Sequence, residues 1–214
     1  AVYPSLRDRV VFITGGASGI GAAIVEQFCE QGAKVSFVDI DATASEALAD
    51  SIADRNLPRP RFIACDLKDI TALQNAIGQV ITSDGPITAL INNASTFEHD
   101  DIKTATRASW DLHMGANLRA PFVLTQAFAA QCPDKGNIIN IIDERVWNLT
   151  PSFVTYTLSK AGLWTLTQTM ALALAPGIRV NAIGPGPTLA SSRQTAEQFA
   201  AQCDPLPLGH GADP

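Results

Sequence analysis

Tyr156 and Lys160 stand four residues apart in an apolar run that opens at Pro151 and Ser152, a spacing that puts both on one face of a helix. Asp143 lies just past the run Ile138-Ile139-Asn140-Ile141-Ile142. That run is too short and too β-branched for a buried helix and reads as an interior strand. The corner from Asn137 to Lys160 therefore brings a carboxylate, a phenol and an ammonium to one rim of a sheet. All three can gain or lose a proton. On spacing alone, the Tyr/Lys pair also fits an ordinary exposed pair.

A second feature adds to the first. Thr14-Gly15-Gly16-Ala17-Ser18-Gly19-Ile20-Gly21 joins a strand to a helix. Glycines there permit a tight turn, a close backbone approach to a pyrophosphate and close helix–strand packing, with the first helical amides facing the anion. The spacing Gly15-x3-Gly19-x-Gly21 differs from GxGxxG, but the strand–turn–helix context is the one such a motif requires. Asp39, eighteen positions after Gly21, ends the next strand. A carboxylate there accepts hydrogen bonds from an adenosine ribose and repels an added phosphate. No Arg or Lys stands at 17 or 18 or directly after Asp39, so the expected cofactor is NAD, with NADP the alternative.

The elements that must position these groups follow from the pattern. Strands are expected at Arg9–Thr14, Lys34–Ile40, Arg61–Cys65, Ile87–Asn92, the Ile138 run and Ile178–Ala182. Helices are expected from about Ile20, Thr43, Ile70, Ser109 (running on to Gln131) and Ser152 (to Ala175). Alternating βα units imply an α/β fold with a doubly wound parallel sheet of about six strands, of Rossmann type, and ligands beyond the C-terminal strand ends. Asp39, Asp66, Asn93 and Asp143 all fall at such ends. The 214 residues suit a single domain.

Composition narrows the function classes. A formal net charge of −6 without a basic run argues against nucleic acid or an anionic membrane as partner. The four cysteines are dispersed and no histidines cluster, so neither a disulfide framework nor a metal site is expected. No apolar run reaches the ~18 residues of a membrane span, and the first residues lack a signal-peptide pattern, so a cytoplasmic location is expected.

Together TGGASGIG (14–21), Asp39, CDL (65–67), NNAS (92–95), Asn117, YTLSK (156–160) and NAIGPGPT (181–188) resemble the short-chain dehydrogenase/reductase family over nearly the whole chain. The resemblance implies one dinucleotide-binding domain over 1–214, acting on a small-molecule substrate, with homo-oligomers typical of the family. It assigns cofactor binding to Gly15, Ser18, Gly19, Ile20, Gly21, Asp39, Ile40, Asp66, Leu67, Asn93, Ala94, Tyr156, Lys160, Pro185, Gly186 and Thr188. It makes Tyr156 the general acid/base, with Lys160 on the nicotinamide ribose and Asn117 supporting a water-mediated proton path from Lys160. A phenol of pKa ~10 is poorly matched to neutral pH, and a nearby ammonium stabilises its phenolate.

Two departures stand out. The family's catalytic serine position, thirteen residues before the tyrosine, holds Asp143. If burial keeps Asp143 protonated, it donates to substrate; alternatively it grips an amidine-like ring nitrogen. The pteridine reductase branch carries Asp there, and Asn92-Asn93-Ala94-Ser95-Thr96-Phe97 resembles its loop, with Ser95 contacting substrate and Phe97 stacking on a pterin. The second departure is the family's last strand, which has no counterpart here, leaving strand six as an expected edge. The expected function is hydride transfer between a nicotinamide cofactor and a C=N or C=O bond of a flat, pteridine-like heterocycle. The alternatives are an NAD-dependent alcohol or sugar dehydrogenase and a catalytically impaired cofactor-binding protein.

Overall fold

In β1 (Val10–Thr14) every position is buried, because the strand runs through the middle of a sheet covered on both faces. A computed structural model describes residues 2–132, 134–188, 195–204, 206 and 209–211. Six parallel strands form the order β3-β2-β1-β4-β5-β6, with β2 Lys34–Asp39, β3 Arg61–Ala64, β4 Ala89–Asn92, β5 Gly136–Ile141 and β6 Ile178–Ile183. Strand order reverses between β1 and β4, the point at which such sheets open a crevice. Register aligns the exits: Thr14 opposes Val38, Asn92 opposes Asn140, and Ile141 opposes Ile183.

Alternation along β1 explains the layers. Phe12 points to a core shared with α3 (Ile70–Asp84), α5 (Ala120–Gln131) and α6 (Val154–Ala173), where it meets Leu73, Ile77, Leu90, Leu124, Phe128 and Ile138. Val11 and Ile13 point the other way, to Val25 and Cys29 of α1 (Gly19–Glu30) and Ile52 of α2 (Ala42–Asp54). Phe12, Leu90 and Ile138 have no exposed surface, and each such side chain is worth roughly 2 kcal/mol. β6 forms the edge among the described residues, with Arg179, Asn181 and Ile183 exposed.

Three local features depart from the expected elements, and two of them shape the site. The long helical region expected over 109–131 is present, but it divides into α4 (Arg107–Met114), a π turn at Gly115–Arg119 and α5. Pro121 can neither donate to the Asn117 carbonyl four residues back nor tolerate its approach, so the ladder widens there. α6 begins at Val154 rather than Ser152, because Phe153 adopts the left-handed conformation (φ 61, ψ 44). A bulky residue there costs about 1–2 kcal/mol. The Phe153 amide is held by the Asp100 carbonyl at 2.6 Å. The third is α7 (Ala196–Cys203), a short helix not expected from the sequence.

Candidate active site

At the β1 exit the chain turns back on itself so tightly that side chains are excluded. A Cβ on Gly15 (φ +70) would lie 2.7 Å from the Ala94 Cα, and one on Gly21 would lie 1.8 Å from the Gly15 carbonyl oxygen. The turn is tied to the β4 exit: Thr14 Oγ1 accepts from the amides of Asn93 (3.0 Å) and Ala94 (3.1 Å), and Asn93 Nδ2 donates to the carbonyls of Thr14 and Gly15.

The caps show what this end of α1 is free to do. Asp41, Asp69 and Thr106 cap α2, α3 and α4 with side-chain hydrogen bonds, whereas Ser18 makes none at α1. Gly19 (φ +55) faces open space where a Cβ would project. First-turn amides without a side-chain cap, beside an unfilled cradle, fit a dinucleotide's phosphates.

Asp39 sits beside this turn. Its Oδ2 accepts from the Ala17 amide at 3.0 Å and its Oδ1 from the amides of Ile40 and Asp41, so the carboxylate links the glycine turn to the start of α2. Ile40 is exposed next to it. Asp66 accepts from the Lys68 amide, and Leu67 is buried below. From β6, the Pro185 carbonyl accepts from the Glu144 amide, Gly186 lies against the Glu144 side chain, and Thr188 Oγ1 donates to the Gly186 carbonyl. A cleft of about 510 Å³ runs between α1 and this loop, lined by Ile20, Pro185, Gly186 and Thr188 but by none of the titratable residues of the opening corner.

Those residues do meet. Tyr156 Oη donates to Asp143 Oδ2 at 2.7 Å, while Asp143 Oδ1 accepts from the Arg145 amide at 2.8 Å and the Arg145 guanidinium stands 3.6 Å from Oδ2. Asp143 is thus placed as a hydrogen-bond acceptor with a cation beside it. Burial first, and then the Asp143 charge and hydrogen bond, push the Tyr156 phenol far above its ordinary pKa; Arg145 and the Ser95 hydroxyl oppose them. Lys160 is buried with its Nζ on the Ile141 carbonyl at 2.7 Å, 5.8 Å from the Tyr156 ring centroid. Burial draws its pKa down to about 8, against the pull of Asp143.

Asn117, on the π turn, is fully buried. Its Oδ1 accepts from the Thr96 amide (2.8 Å), and its Nδ2 donates to the Thr96 carbonyl and to Ser159 Oγ. It clamps the loop after β4 onto α6, and its side-chain hydrogen bonds run to that loop and to Ser159 rather than to Lys160. Phe97 stacks on Phe153 (centroids 4.3 Å apart, planes at 10°) and meets Tyr156 edge-on at 4.6 Å. The Arg145 guanidinium lies 5.3 Å from the Phe97 centroid and 5.2 Å from that of Phe153.

Phe153, His113, Asp100 and Thr155 join the site without having been singled out in the sequence, and Arg145 and Trp147 follow Asp143 in the chain. Trp147 packs over Gly184 and edge-on against Trp164, outside the Phe97 platform. The other residues lie on separate segments with no motif of their own, and only the fold brings them together. Among the described residues, no His, Cys, Asp or Glu cluster could hold a metal. No described helix is long and apolar enough to cross a membrane.

Comparison with known proteins bears on the geometry. Residues 9–201 match the family model described as short chain dehydrogenase. A probable galactose dehydrogenase, GalD, from Rhizobium meliloti is 41% identical over 187 residues, spanning 86% of this chain and 73% of that relative. A D-xylose 1-dehydrogenase from Caulobacter vibrioides is 35% identical over 215 residues, spanning 95% and 84%. The crystal structure of FolM alternative dihydrofolate reductase 1 from Brucella canis, complexed with NADP, superposes with a TM-score of 0.90 at 40% identity, covering 98% of this chain and 84% of that one.

Proposed function

This chain belongs to the short-chain dehydrogenase family, and we propose that it is an oxidoreductase that reduces a C=N or C=O bond in a flat, pteridine-like heterocycle. The observation that carries this reading is the 2.7 Å hydrogen bond from Tyr156 to Asp143, beside the Phe97 ring. The family's usual serine would polarise a carbonyl; a carboxylate flanked by Arg145 instead suits a substrate that presents N–H donors. Phe97 offers such a ring a flat partner, with one of its own faces already covered by Phe153.

The nicotinamide dinucleotide, when bound, supplies the hydride. Gly15, Ser18, Gly19, Ile20 and Gly21 would hold its phosphates, Asp39, Ile40, Asp66 and Leu67 its adenosine, and Asn93, Ala94, Lys160, Pro185, Gly186 and Thr188 the nicotinamide half. Tyr156, kept protonated by burial and by Asp143, donates the proton to the substrate atom that gains charge. Asp143 holds the phenol in line and accepts from the substrate ring. Lys160 carries a buried charge that counters the anionic Asp143. Asn117 fixes the loop that presents Ser95 and Phe97.

Two features pull cofactor choice in opposite directions. Asp39 repels an added 2′-phosphate and no described cation neighbours it, which supports NAD; the relative from Brucella canis was crystallised with NADP. Competitive titration of the two reduced cofactors separates them, and tighter NADPH binding overturns the Asp39 argument. The second reading, a sugar dehydrogenase, rests on the similarity to the galactose and xylose enzymes. Cofactor oxidation with dihydropterins and quinonoid compounds, and the reverse assay with a panel of alcohols and sugars, decides. Pterin turnover that is lost in Tyr156→Phe supports the first reading, turnover with alcohols or sugars alone supports the second, and cofactor binding without turnover indicates an impaired enzyme.

A further inference from the structure

Behind the aromatic platform lies a buried polar chain that the proposed chemistry does not use. The Glu98 amide donates to His113 Nε2 at 3.1 Å, His113 Nδ1 stands 2.7 Å from Thr155 Oγ1, and Thr155 Oγ1 donates to Asp100 Oδ2 at 2.5 Å. The Thr155 amide also donates to Asp100 Oδ1 at 3.2 Å. His113, Asp100 and Thr155 are 0%, 2% and 3% exposed. The roles are forced in sequence. An amide can only donate, so Nε2 is an acceptor and the proton of the neutral ring sits on Nδ1, facing Thr155 Oγ1 and the Ser109 backbone, while the Thr155 hydroxyl donates to the carboxylate.

The chain joins the two segments that carry the platform to a third, α4, that does not. Glu98 follows Phe97, and Thr155 lies between Phe153 and Tyr156. Asp100 holds the strained Phe153 through its backbone carbonyl as well. His113, on α4, is the anchor outside both loops, and its ring meets Tyr156 edge-on at 5.9 Å. Two stacked rings from separate loops keep a 4.3 Å spacing only if those loops are fixed to each other.

We propose that His113, Thr155 and Asp100 are positioning residues for the substrate, pinning the Phe97–Phe153 platform and the first turn of α6 in register with Tyr156. Their contribution is to substrate affinity rather than to the cofactor, which the glycine turn holds from the other side of the crevice. The pin works with a neutral imidazole, because a second proton on Nε2 would meet the Glu98 amide head-on. Burial lowers the His113 pKa, with Asp100, a hydrogen bond to the Ser109 backbone and the Glu98 carboxylate pulling the other way, and the edge of Tyr156 also facing the ring.

Thr155→Val removes the middle hydroxyl with almost no change of shape, and Thr155→Ser keeps it. With a dihydropterin substrate, which rests on the function proposed above, T155V is expected to raise KM about tenfold, the loss of a hydrogen bond to a charged group. Its kcat should stay within about threefold and cofactor affinity should not change, while T155S recovers most of the loss. Hydrogen exchange needs no substrate: the amides of Glu98, Phe153 and Thr155 should exchange faster in T155V and not in T155S. Equal exchange in wild type and T155V overturns the proposal, as does equal impairment of T155S and T155V or a parallel loss of kcat and cofactor binding. If wild-type protein turns over no pterin, the substrate reading fails and the exchange arm still decides the pin.

Discussion

The two walls of the crevice are built from different material. The wall at the β1 and β4 exits is backbone: glycines without room for a Cβ, helix amides left uncapped, and Asn93 and Thr14 tied to main-chain groups. The wall at the β5–α6 corner is side chain, with Tyr156 on Asp143, Phe97 on Phe153, and Arg145 beside all of them. A backbone cradle recognises what every dinucleotide shares, whereas a side-chain wall can change its substrate by single substitutions. Damage to one wall should therefore leave the other working.

The largest effect is expected at the proton donor. Tyr156→Phe should lower kcat about a thousandfold, as loss of a general acid does, with cofactor affinity unchanged by fluorescence titration. A matching loss of affinity would join the two walls. Next comes the backbone wall: Gly21→Ala forces a Cβ to 1.8 Å from the Gly15 carbonyl, and displacing the turn should weaken cofactor binding roughly a hundredfold. The exchange protection of the Phe97 and Phe153 segments should survive it.

Lys160 offers a smaller test, on stability. Its folded pKa of about 8 lies below the ordinary value of 10.5, so the folded chain binds fewer protons between those values and gains stability as pH rises through that window. Below pH 8 the buried charge is a cost. Lys160→Met should therefore raise stability at pH 7 by about 1 kcal/mol in urea unfolding while turnover collapses. A less stable variant at pH 7 would show that the Ile141 hydrogen bond outweighs the buried charge. The smallest effect concerns His113. Its pKa is lowered in the fold, so its share of stability is complete above the unfolded value near 6.5 and is lost as pH falls below it. His113→Gln should flatten the wild-type decline in that range, measured by thermal unfolding from pH 7 downwards.

The same division governs what the chain discloses as a string of residues. Gly15, Gly19 and Gly21 are legible because a tight turn constrains neighbours in sequence, and β1 because burial on both faces leaves an uninterrupted apolar run, while the edge strand β6 shows the alternation of a half-exposed one. Tyr156 and Lys160 are legible because helical spacing is local. The platform is not: Phe153 owes its left-handed backbone to Asp100, fifty-three residues earlier, and His113 reaches Thr155 across a separation of 42. The broken helix at Asn117 could have been anticipated, since Pro121 stands four residues after it. The upward push on the Tyr156 phenol could not, because its causes are burial and the 2.7 Å approach of Asp143.

Asp143 separates a heterocycle reductase from a sugar or alcohol dehydrogenase. The direct measurement is kcat/KM of Asp143→Ser, with a dihydropterin and with a panel of alcohols and sugars, beside wild type. A fall of about a hundredfold or more with the pterin alone, with cofactor affinity retained, is the predicted result. Pterin turnover within about threefold of wild type would contradict it.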